Sequence, residues 1–195
     1  MIILITGKAG CGKSTVANYL EKEYGFKQDQ LAAPLKRCVA DIFQIPMEII
    51  NPETEENRKK REEPIQDWNN WSARKLLQFI GTELFRTNIS DDIWVRSLWL
   101  RISSKPGNWT IADVRFPNER SFFTDRLSKN EVVTIKVVRN NFDASVGLKG
   151  HASEAHDIEA DFIVSAESGD LDGIYRQVDK IVESFPTPII KLDNY

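Results

Sequence analysis

The sequence predicts an α/β protein in which helices sandwich a five-stranded parallel sheet. First, short apolar or β-branched runs alternate with amphipathic helical patterns, which favours parallel strands joined by crossover helices. Second, the all-apolar run at residues 2–5 leads directly into Gly7-Lys8-Ala9-Gly10-Cys11-Gly12-Lys13-Ser14, which fits G-x-x-x-x-G-K-[ST] at every fixed position. Apolar residues at helical spacing follow this loop. A strand, a glycine-rich loop and a helix in this order predict the P-loop NTPase fold.

The residue types of this loop, a Walker A motif, suit a phosphate chain. Its glycines accept backbone angles that other residues avoid, so successive amides can point at one anion. The next helix adds amides and the positive end of its dipole. Lys13 brings a positive charge to the β- and γ-phosphates, and the Ser14 hydroxyl is a ligand for Mg²⁺. The residues predicted to bind ATP are Gly7, Ala9, Gly10, Cys11, Gly12, Lys13, Ser14 and Thr15. The alternative is a glycine turn with a surface lysine.

The segments after the loop predict a helical insertion in a single domain, residues 1–195. The first helix covers 13–24 and ends at Gly25, a residue that suits a helix C-cap. A weak strand over 26–31 follows. Between it and the third strand lie predicted helices at 34–43, 71–86 (with a serine N-cap) and 93–102, together with the charged segment 52–70, which we interpret as a solvated excursion.

A carboxylate follows the third strand. The strand from residue 109 is predicted to end in Asp113, with Arg115 after it and a helix over 117–128. P-loop enzymes hold magnesium or orient the acceptor with a carboxylate at the end of the strand beside the P-loop strand. Asp113 is predicted to do so here; a helix cap or a salt bridge is the alternative. Arg139 closes the clearest strand, 131–138.

Residues 140–157 have no apolar periodicity and lie at the edge of the sheet where ligands bind in α/β proteins. We expect a lid that closes over phosphates, with a solvated loop as the alternative. His151, Glu154 and His156 do not complete a zinc site. The last strand is predicted over 161–164, and an amphipathic helix starts at Leu171.

Composition limits the classes of partner. The chain has 195 residues, 41% hydrophobic and 28% charged, which is enough for a sizeable core. Its net charge of −3 argues against broad binding to nucleic acid or to membranes. We recognise no apolar run near the roughly 18 residues of a spanning helix and no signal segment. Cys11 and Cys38 make no disulfide framework, so a cytoplasmic location is expected.

Five blocks together resemble a known family. They occur in the order Gly7–Ser14, Leu31-Ala32-Ala33-Pro34-Leu35-Lys36, Leu77-Gln78-Phe79-Ile80-Gly81-Thr82-Glu83 with Arg86, Asp113-Val114-Arg115-Phe116-Pro117-Asn118-Glu119 and His151-Ala152-Ser153-Glu154. This pattern is similar to the deoxynucleoside monophosphate kinases of tailed bacteriophages, and it spans nearly the whole chain. The resemblance implies transfer of the γ-phosphoryl group of ATP to a deoxynucleoside 5′-monophosphate, in a bacterial cell or a phage-infected host. It makes 34–104 the monophosphate-binding insertion and 140–157 the lid.

The expected roles follow from that chemistry and the resemblance. The catalytic residues are Lys13, Asp113, Arg115 and Arg139, and Ser14 and Asp113 hold Mg²⁺. The acceptor-binding residues are Lys36, Arg74, Arg86, Trp94 and Arg115, because guanidinium groups bind phosphate in a fork and a tryptophan can stack on a base. For Lys36 a solvated surface position is the alternative, and for Trp94 a place in the core. The expected lid departs from kinases with several lid arginines, since 140–157 contains only Lys149 as a lysine or arginine.

Two rival functions stay open at this point. A dephospho-coenzyme A or phosphomevalonate kinase would share Lys13, Ser14 and Asp113 and differ in the acceptor pocket. A GTPase switch or nucleotide sensor would lack a second substrate, but no N-K-x-D guanine signature follows any predicted strand. A homodimer is compatible with the sequence.

Overall fold

A computed structural model describes residues 1–140, 157–167, 169–186 and 189. Its strands are β1 (Ile2–Thr6), β2 (Lys27–Asp29), β3 (Trp109–Ile111), β4 (Val132–Arg139) and β5 (Phe162–Ala166). Its α-helices are α1 (Lys13–Tyr24), α2 (Ala33–Phe43), α3 (Met47–Ile50), α4 (Glu55–Lys60), α5 (Ala73–Gln78), α6 (Ile93–Ile102), α7 (Pro117–Thr124) and α8 (Leu171–Glu183). A 3₁₀ helix spans Gln66–Trp68, and a π-helix spans Phe79–Arg86.

The described strands form one sheet in the order β2-β3-β1-β4-β5, and every pair is parallel. This confirms the predicted five-stranded parallel sheet flanked by helices. Strand β1 is buried along its whole length and pairs with β3 on one side and β4 on the other. Helix α1 has the predicted bounds, and Gly25 caps it with φ 68° and an N–H that reaches the Glu21 carbonyl.

Three predicted elements extend too far. Strand β2 covers only Lys27–Asp29, β3 ends at Ile111 rather than at Asp113, and α7 ends at Thr124 rather than at residue 128. Strands β2 and β3 stop together, because Asp29 and Ile111 are the last positions of their shared ladder. Apolar patterns show where a strand can form, but they do not show where its partner ends.

The charged segment 52–70 contains helix α4, although this helix has no buried residue. Local interactions explain the helix. The Thr54 side chain accepts a hydrogen bond from the Asn57 amide, the first turn is acidic, and the last turn is basic. Lys60 also pairs with Glu56, one turn earlier, at 2.7 Å.

The segment predicted as one helix over 71–86 changes its winding. It begins as expected, with the Ser72 side chain accepting from the Lys75 amide, but it continues as a π-helix from Phe79. Three successive carbonyls of this π-helix accept side-chain hydrogen bonds: Gly81 from Trp94, Thr82 from Thr87 and Glu83 from Asn88. These bonds offer the carbonyls partners outside the regular helical ladder, which is a known cause of local rewinding.

The chain divides into two compact units. The first comprises Met1–Gln30 and Leu98–Tyr195, and the second comprises Leu31–Ser97. The core of the first unit contains Ile3, Ile5, Val16, Leu20, Ile135, Val164 and Val178, and that of the second contains Leu35, Val39, Ile50, Ala73 and Leu77. The domain organisation given above, one domain with an insertion at 34–104, stays a prediction. Among the described residues, no helix has both the length and the apolar character to cross a membrane.

A tyrosine pair joins α1 to α8 in the first unit. The hydroxyls of Tyr19 and Tyr24 both donate to Asp179 Oδ1, at 2.8 and 2.7 Å, and the ring of Tyr19 stacks on Tyr175 with centroids 4.1 Å apart. Burial, followed by the hydrogen bond to Asp179, raises the pKa of Tyr24 well above its ordinary value. Folding therefore favours the neutral phenol.

We predict that the free energy of unfolding falls as pH rises above about 10. Tyrosine in the unfolded chain ionises there, while Tyr24 in the folded protein keeps its proton. Raising the pH therefore stabilises the unfolded state relative to the folded state. The contribution of one group is at most about 1.4 kcal/mol per pH unit. Denaturant unfolding of the wild type and of Tyr24→Phe, between pH 8 and 11, measures it. The variant should show the shallower decline, Tyr175→Phe serves as the control, and equal slopes for wild type and Tyr24→Phe would contradict the assignment.

The chain turns sharply where β1 ends, because Gly7 passes very close to β4. Gly7 has φ +139°, and a Cβ at this position would lie 2.4 Å from the Val137 carbonyl oxygen and 2.8 Å from Cys11 Sγ. Both the backbone angle and the space therefore require glycine. A second glycine, Gly169, also has positive φ (+92°), but a Cβ there would meet nothing within 4 Å.

These two glycines give a matched pair of substitutions. We expect Gly7→Ala to lower the free energy of unfolding by about 3 kcal/mol or more, because backbone strain and a clash with main chain add together. Gly169→Ala should lower it by only about 1–2 kcal/mol, from strain alone. Urea denaturation of both variants measures the difference. Equal losses would show that the approach to Val137 does not constrain the loop.

Candidate active site

The predicted nucleotide loop and three other predicted residues lie at one edge of the sheet in the first unit. Neighbouring parallel strands end at the same edge, and β1 lies between β3 and β4. The loop leaves the end of β1, Asp113 and Arg115 follow the end of β3, and Arg139 is the last residue of β4. This carboxyl edge is where ligands bind in open α/β sheets.

The loop has the backbone of an anion cradle. Gly7, Gly10 and Gly12 all have positive φ, at 139°, 76° and 106°. Gly12 is also the N-cap of α1, and no side chain caps the helix there. The first-turn amides of α1 therefore open onto the loop, together with the positive end of the helix dipole. Such a glycine-rich turn before a helix N-terminus binds phosphates through main-chain amides.

Lys13 lies over this loop. Its Nζ donates to the carbonyl oxygens of Gly7 and Lys8, both at 2.8 Å, and the Cys11 amide donates to the same Lys8 carbonyl at 3.3 Å. The Lys13 side chain is half-buried. The ammonium group is thus held against the loop by two main-chain oxygens, where the charge of a bound phosphate chain would need it.

The loop and the β3 end provide oxygen donors for a hard cation. Ser14 is exposed in the first turn of α1, and Asp113 is half-buried two residues beyond β3. Hydroxyl and carboxylate oxygens are ligands of Mg²⁺ in proteins, and waters and substrate phosphates usually supply its remaining ligands. The donor set therefore fits magnesium chemically.

Glu119, for which the sequence predicts no role, holds the segment between β3 and α7. Glu119 is only 4% exposed, and its Oε2 accepts from the amides of Arg115 and Phe116, at 2.7 and 3.0 Å. Val114 is buried, whereas Asp113 and Arg115 on either side of it are half-buried. A glutamate two residues after Pro117, at the third helical position, is a capping signal that could have been read from the sequence.

The other predicted acceptor residues belong to the second unit. Lys36 on α2 donates to Asn51 Oδ1 at 2.7 Å, and Arg74 on α5 pairs with Glu62. Arg86 ends the π-helix and is 8% exposed, which is unusual for an arginine. Trp94 donates from Nε1 to the Gly81 carbonyl at 2.9 Å, and its ring lies 5.4 Å from that of Phe85.

The Trp94 ring is partly buried and packs against the core cluster of the second unit. Its stacking on a base stays a prediction, as do the roles of Lys36, Arg74 and Arg86. The expected lid falls mostly at 141–156, outside the described residues, and so do Lys149, His151, Glu154 and His156.

Comparison with known proteins adds one relative. No protein-family model matches the chain. A protein of Acanthamoeba polyphaga mimivirus, named "Putative deoxynucleotide monophosphate kinase", is 30% identical over 139 residues, which cover 64% of this chain and 69% of that protein.

Solved structures also resemble the chain, with low identity and TM-scores below 0.5. They include a Janibacter sugar kinase (15% identity, TM-score 0.43, covering 94% of this chain and 92% of that one). A Sinorhizobium meliloti gluconokinase has 14% identity and a TM-score of 0.46, with 90% and 87% covered. The thymidylate kinase of Candida albicans has 14% identity and a TM-score of 0.44, with 98% and 97% covered.

The mimivirus relative supplies the family, and the loop at the edge of a parallel sheet supplies a site that suits phosphoryl transfer. The tailed-bacteriophage type of the family stays a prediction. On the identity and coverage of that relative, the chain is a small-molecule kinase and belongs to the deoxynucleotide monophosphate kinase family.

Proposed function

We propose that this kinase transfers the γ-phosphoryl group of ATP to a deoxynucleoside 5′-monophosphate, giving ADP and the deoxynucleoside diphosphate. The observation that carries the proposal is Lys13, held by two carbonyls over a glycine loop at the same sheet edge as Asp113, Arg115 and Arg139. The name of the mimivirus relative supports this choice of acceptor.

On the donor side, the loop amides and Lys13 hold the triphosphate. An oxygen of the acceptor phosphate attacks the γ-phosphorus, the bond to the β,γ-bridging oxygen breaks, and that oxygen leaves with ADP. Phosphoryl transfer requires the protein mainly to align the two phosphates and to offset their charge. Lys13 offsets charge on the donor, and Arg139 at the end of β4 is the candidate to offset charge on the moving group.

Magnesium fits the oxygen donors of Ser14 and Asp113, and when bound it would neutralise charge on the donor phosphates. Asp113 is half-buried and lies two residues beyond the end of β3. In this proposal the two residues orient the donor phosphates, while the arginines bind the acceptor.

On the acceptor side, Arg115 is the candidate in the first unit, and Lys36, Arg74 and Arg86 are the candidates in the second. A guanidinium presents parallel N–H donors that match two phosphate oxygens. Arg86 is the strongest of the second group, because its buried side chain lies at the end of a π-helix, a winding often found at functional sites. The monophosphate-binding role of 34–104, the lid role of 140–157 and a homodimer belong to the same proposal.

Lys13→Ala tests the donor site. We expect kcat to fall by about 10²–10³-fold, because the ammonium stabilises charge that develops during transfer. The melting temperature should change little, since Lys13 is only half-buried and two of its partners are main-chain carbonyls of the loop. Coupled ADP-release assays measure kcat. Lys22→Ala, which removes an exposed lysine from the same helix, is the matched control, and near-normal turnover by Lys13→Ala would refute the site.

A panel of acceptors tests the substrate. We expect ATP and Mg²⁺ to yield a diphosphate from at least one of dAMP, dCMP, dGMP and dTMP, with ATP consumption that rises with acceptor concentration. Dephospho-coenzyme A, phosphomevalonate and gluconate complete the panel. Product from one of these, and none from any deoxynucleotide, would reject the proposed acceptor while leaving the kinase assignment intact. ATP consumption that no acceptor raises would contradict both.

A further inference from the structure

Glu119 holds the main chain of a predicted acceptor-binding residue. We propose that Glu119 is a positioning residue that fixes Arg115 in the orientation needed to bind the acceptor phosphate. The inference rests on the proposed function, in which Arg115 binds that phosphate. Its basis is the buried carboxylate whose Oε2 accepts from the Arg115 amide at 2.7 Å and from the Phe116 amide at 3.0 Å.

This contact goes beyond a helix cap. In a capping box, the glutamate at the third helical position reaches back to the amide of the N-cap residue, which here is Phe116. Glu119 makes that bond and also takes the amide of the residue before it, over the shorter distance. The bond to Arg115 satisfies no amide of the helix, because Arg115 precedes the N-cap residue. The second bond therefore acts on the loop.

Two further anchors restrict the same loop. Val114 is 1% exposed and sits in the core next to Arg115, and Pro117 at the first helical position has its φ fixed by its ring. With Val114 buried on one side and the Glu119 carboxylate on the other, the Arg115 backbone is held between two fixed points. Only its side-chain torsions are left to adjust to a phosphate. An arginine side chain binds a phosphate more tightly when less conformational entropy is lost on binding.

The chemistry of Glu119 suits this task. An ionised carboxylate only accepts hydrogen bonds, and one of its oxygens can serve two amide donors. Glutamine at this position keeps an oxygen of similar shape without the charge. Alanine removes the acceptor and leaves two amides without that partner. Activity should therefore decrease in the order wild type, Glu119→Gln, Glu119→Ala.

A double-mutant cycle with Arg115 separates positioning from simple stability. We expect Glu119→Ala to lower kcat/KM for the best deoxynucleoside monophosphate of the panel by about tenfold, while KM for ATP changes less than about twofold. In an Arg115→Ala background the same substitution should change kcat/KM by less than about twofold, because no guanidinium is left to position. An equal loss in both backgrounds would overturn the inference.

The control is Asp170→Ala, which removes the cap of α8 in the same unit. Asp170 Oδ1 accepts from the Gly173 amide at 2.8 Å. We expect this variant to lower the melting temperature without changing kcat/KM for either substrate. If it reproduces the kinetic loss of Glu119→Ala at equal loss of stability, Glu119 acts only through stability and the inference fails.

Amide hydrogen exchange gives a readout that needs no turnover. We expect the Arg115 and Phe116 amides to exchange at least tenfold faster in Glu119→Ala than in the wild type, with Glu119→Gln between them. Unchanged exchange would overturn the inference even if an acceptor is found. Full activity of Arg115→Ala would reject the role of Arg115 in the proposed function. If Arg115→Ala loses activity but Glu119→Ala does not, only the positioning role of Glu119 is rejected.

Discussion

The site depends on the close approach of Gly7 to strand β4. The Val137 carbonyl occupies the space that any side chain at position 7 would need, so the loop can turn there only with glycine. That turn sets the path of the residues up to Gly12 and the start of α1. It also brings the Gly7 and Lys8 carbonyls to the Lys13 ammonium, at 2.8 Å each. One steric constraint in the middle of the sheet thereby fixes both the amides and the charge that a phosphate chain would meet.

The parts of the fold that local pattern determines were predictable. Helices α1, with its Gly25 cap, and α6 have the expected bounds, and β1 ends one residue beyond its predicted run at 2–5. Apolar spacing and capping residues specify each of these elements within a few positions. The ends of β2 and β3 were not predictable from the sequence, because these two strands end together at the last positions of their shared ladder. The π-helix at Phe79–Arg86 also escaped prediction, because the bond from Trp94 to Gly81 joins residues that lie on different helices.

The candidate site shows the same division. The glycine loop could be read from the sequence because its motif is contiguous, and Asp113, Arg115 and Arg139 could be placed because parallel strands end at a common edge. Glu119 received no role, although it lies in a block that carries the family resemblance, because its importance arises from burial and from two main-chain donors rather than from its spacing. The buried position of Arg86 likewise depends on how the second unit packs, which no single stretch of sequence shows.

A crystal structure with a non-hydrolysable ATP analogue and magnesium is the sharpest test of the nucleotide site. We expect the triphosphate within hydrogen-bonding distance of the loop amides and of Lys13 Nζ, with the cation on the Ser14 side of the phosphates. A triphosphate bound elsewhere on the protein, with the loop between Gly7 and Ser14 making no contact to it, would show that this loop is not the nucleotide site.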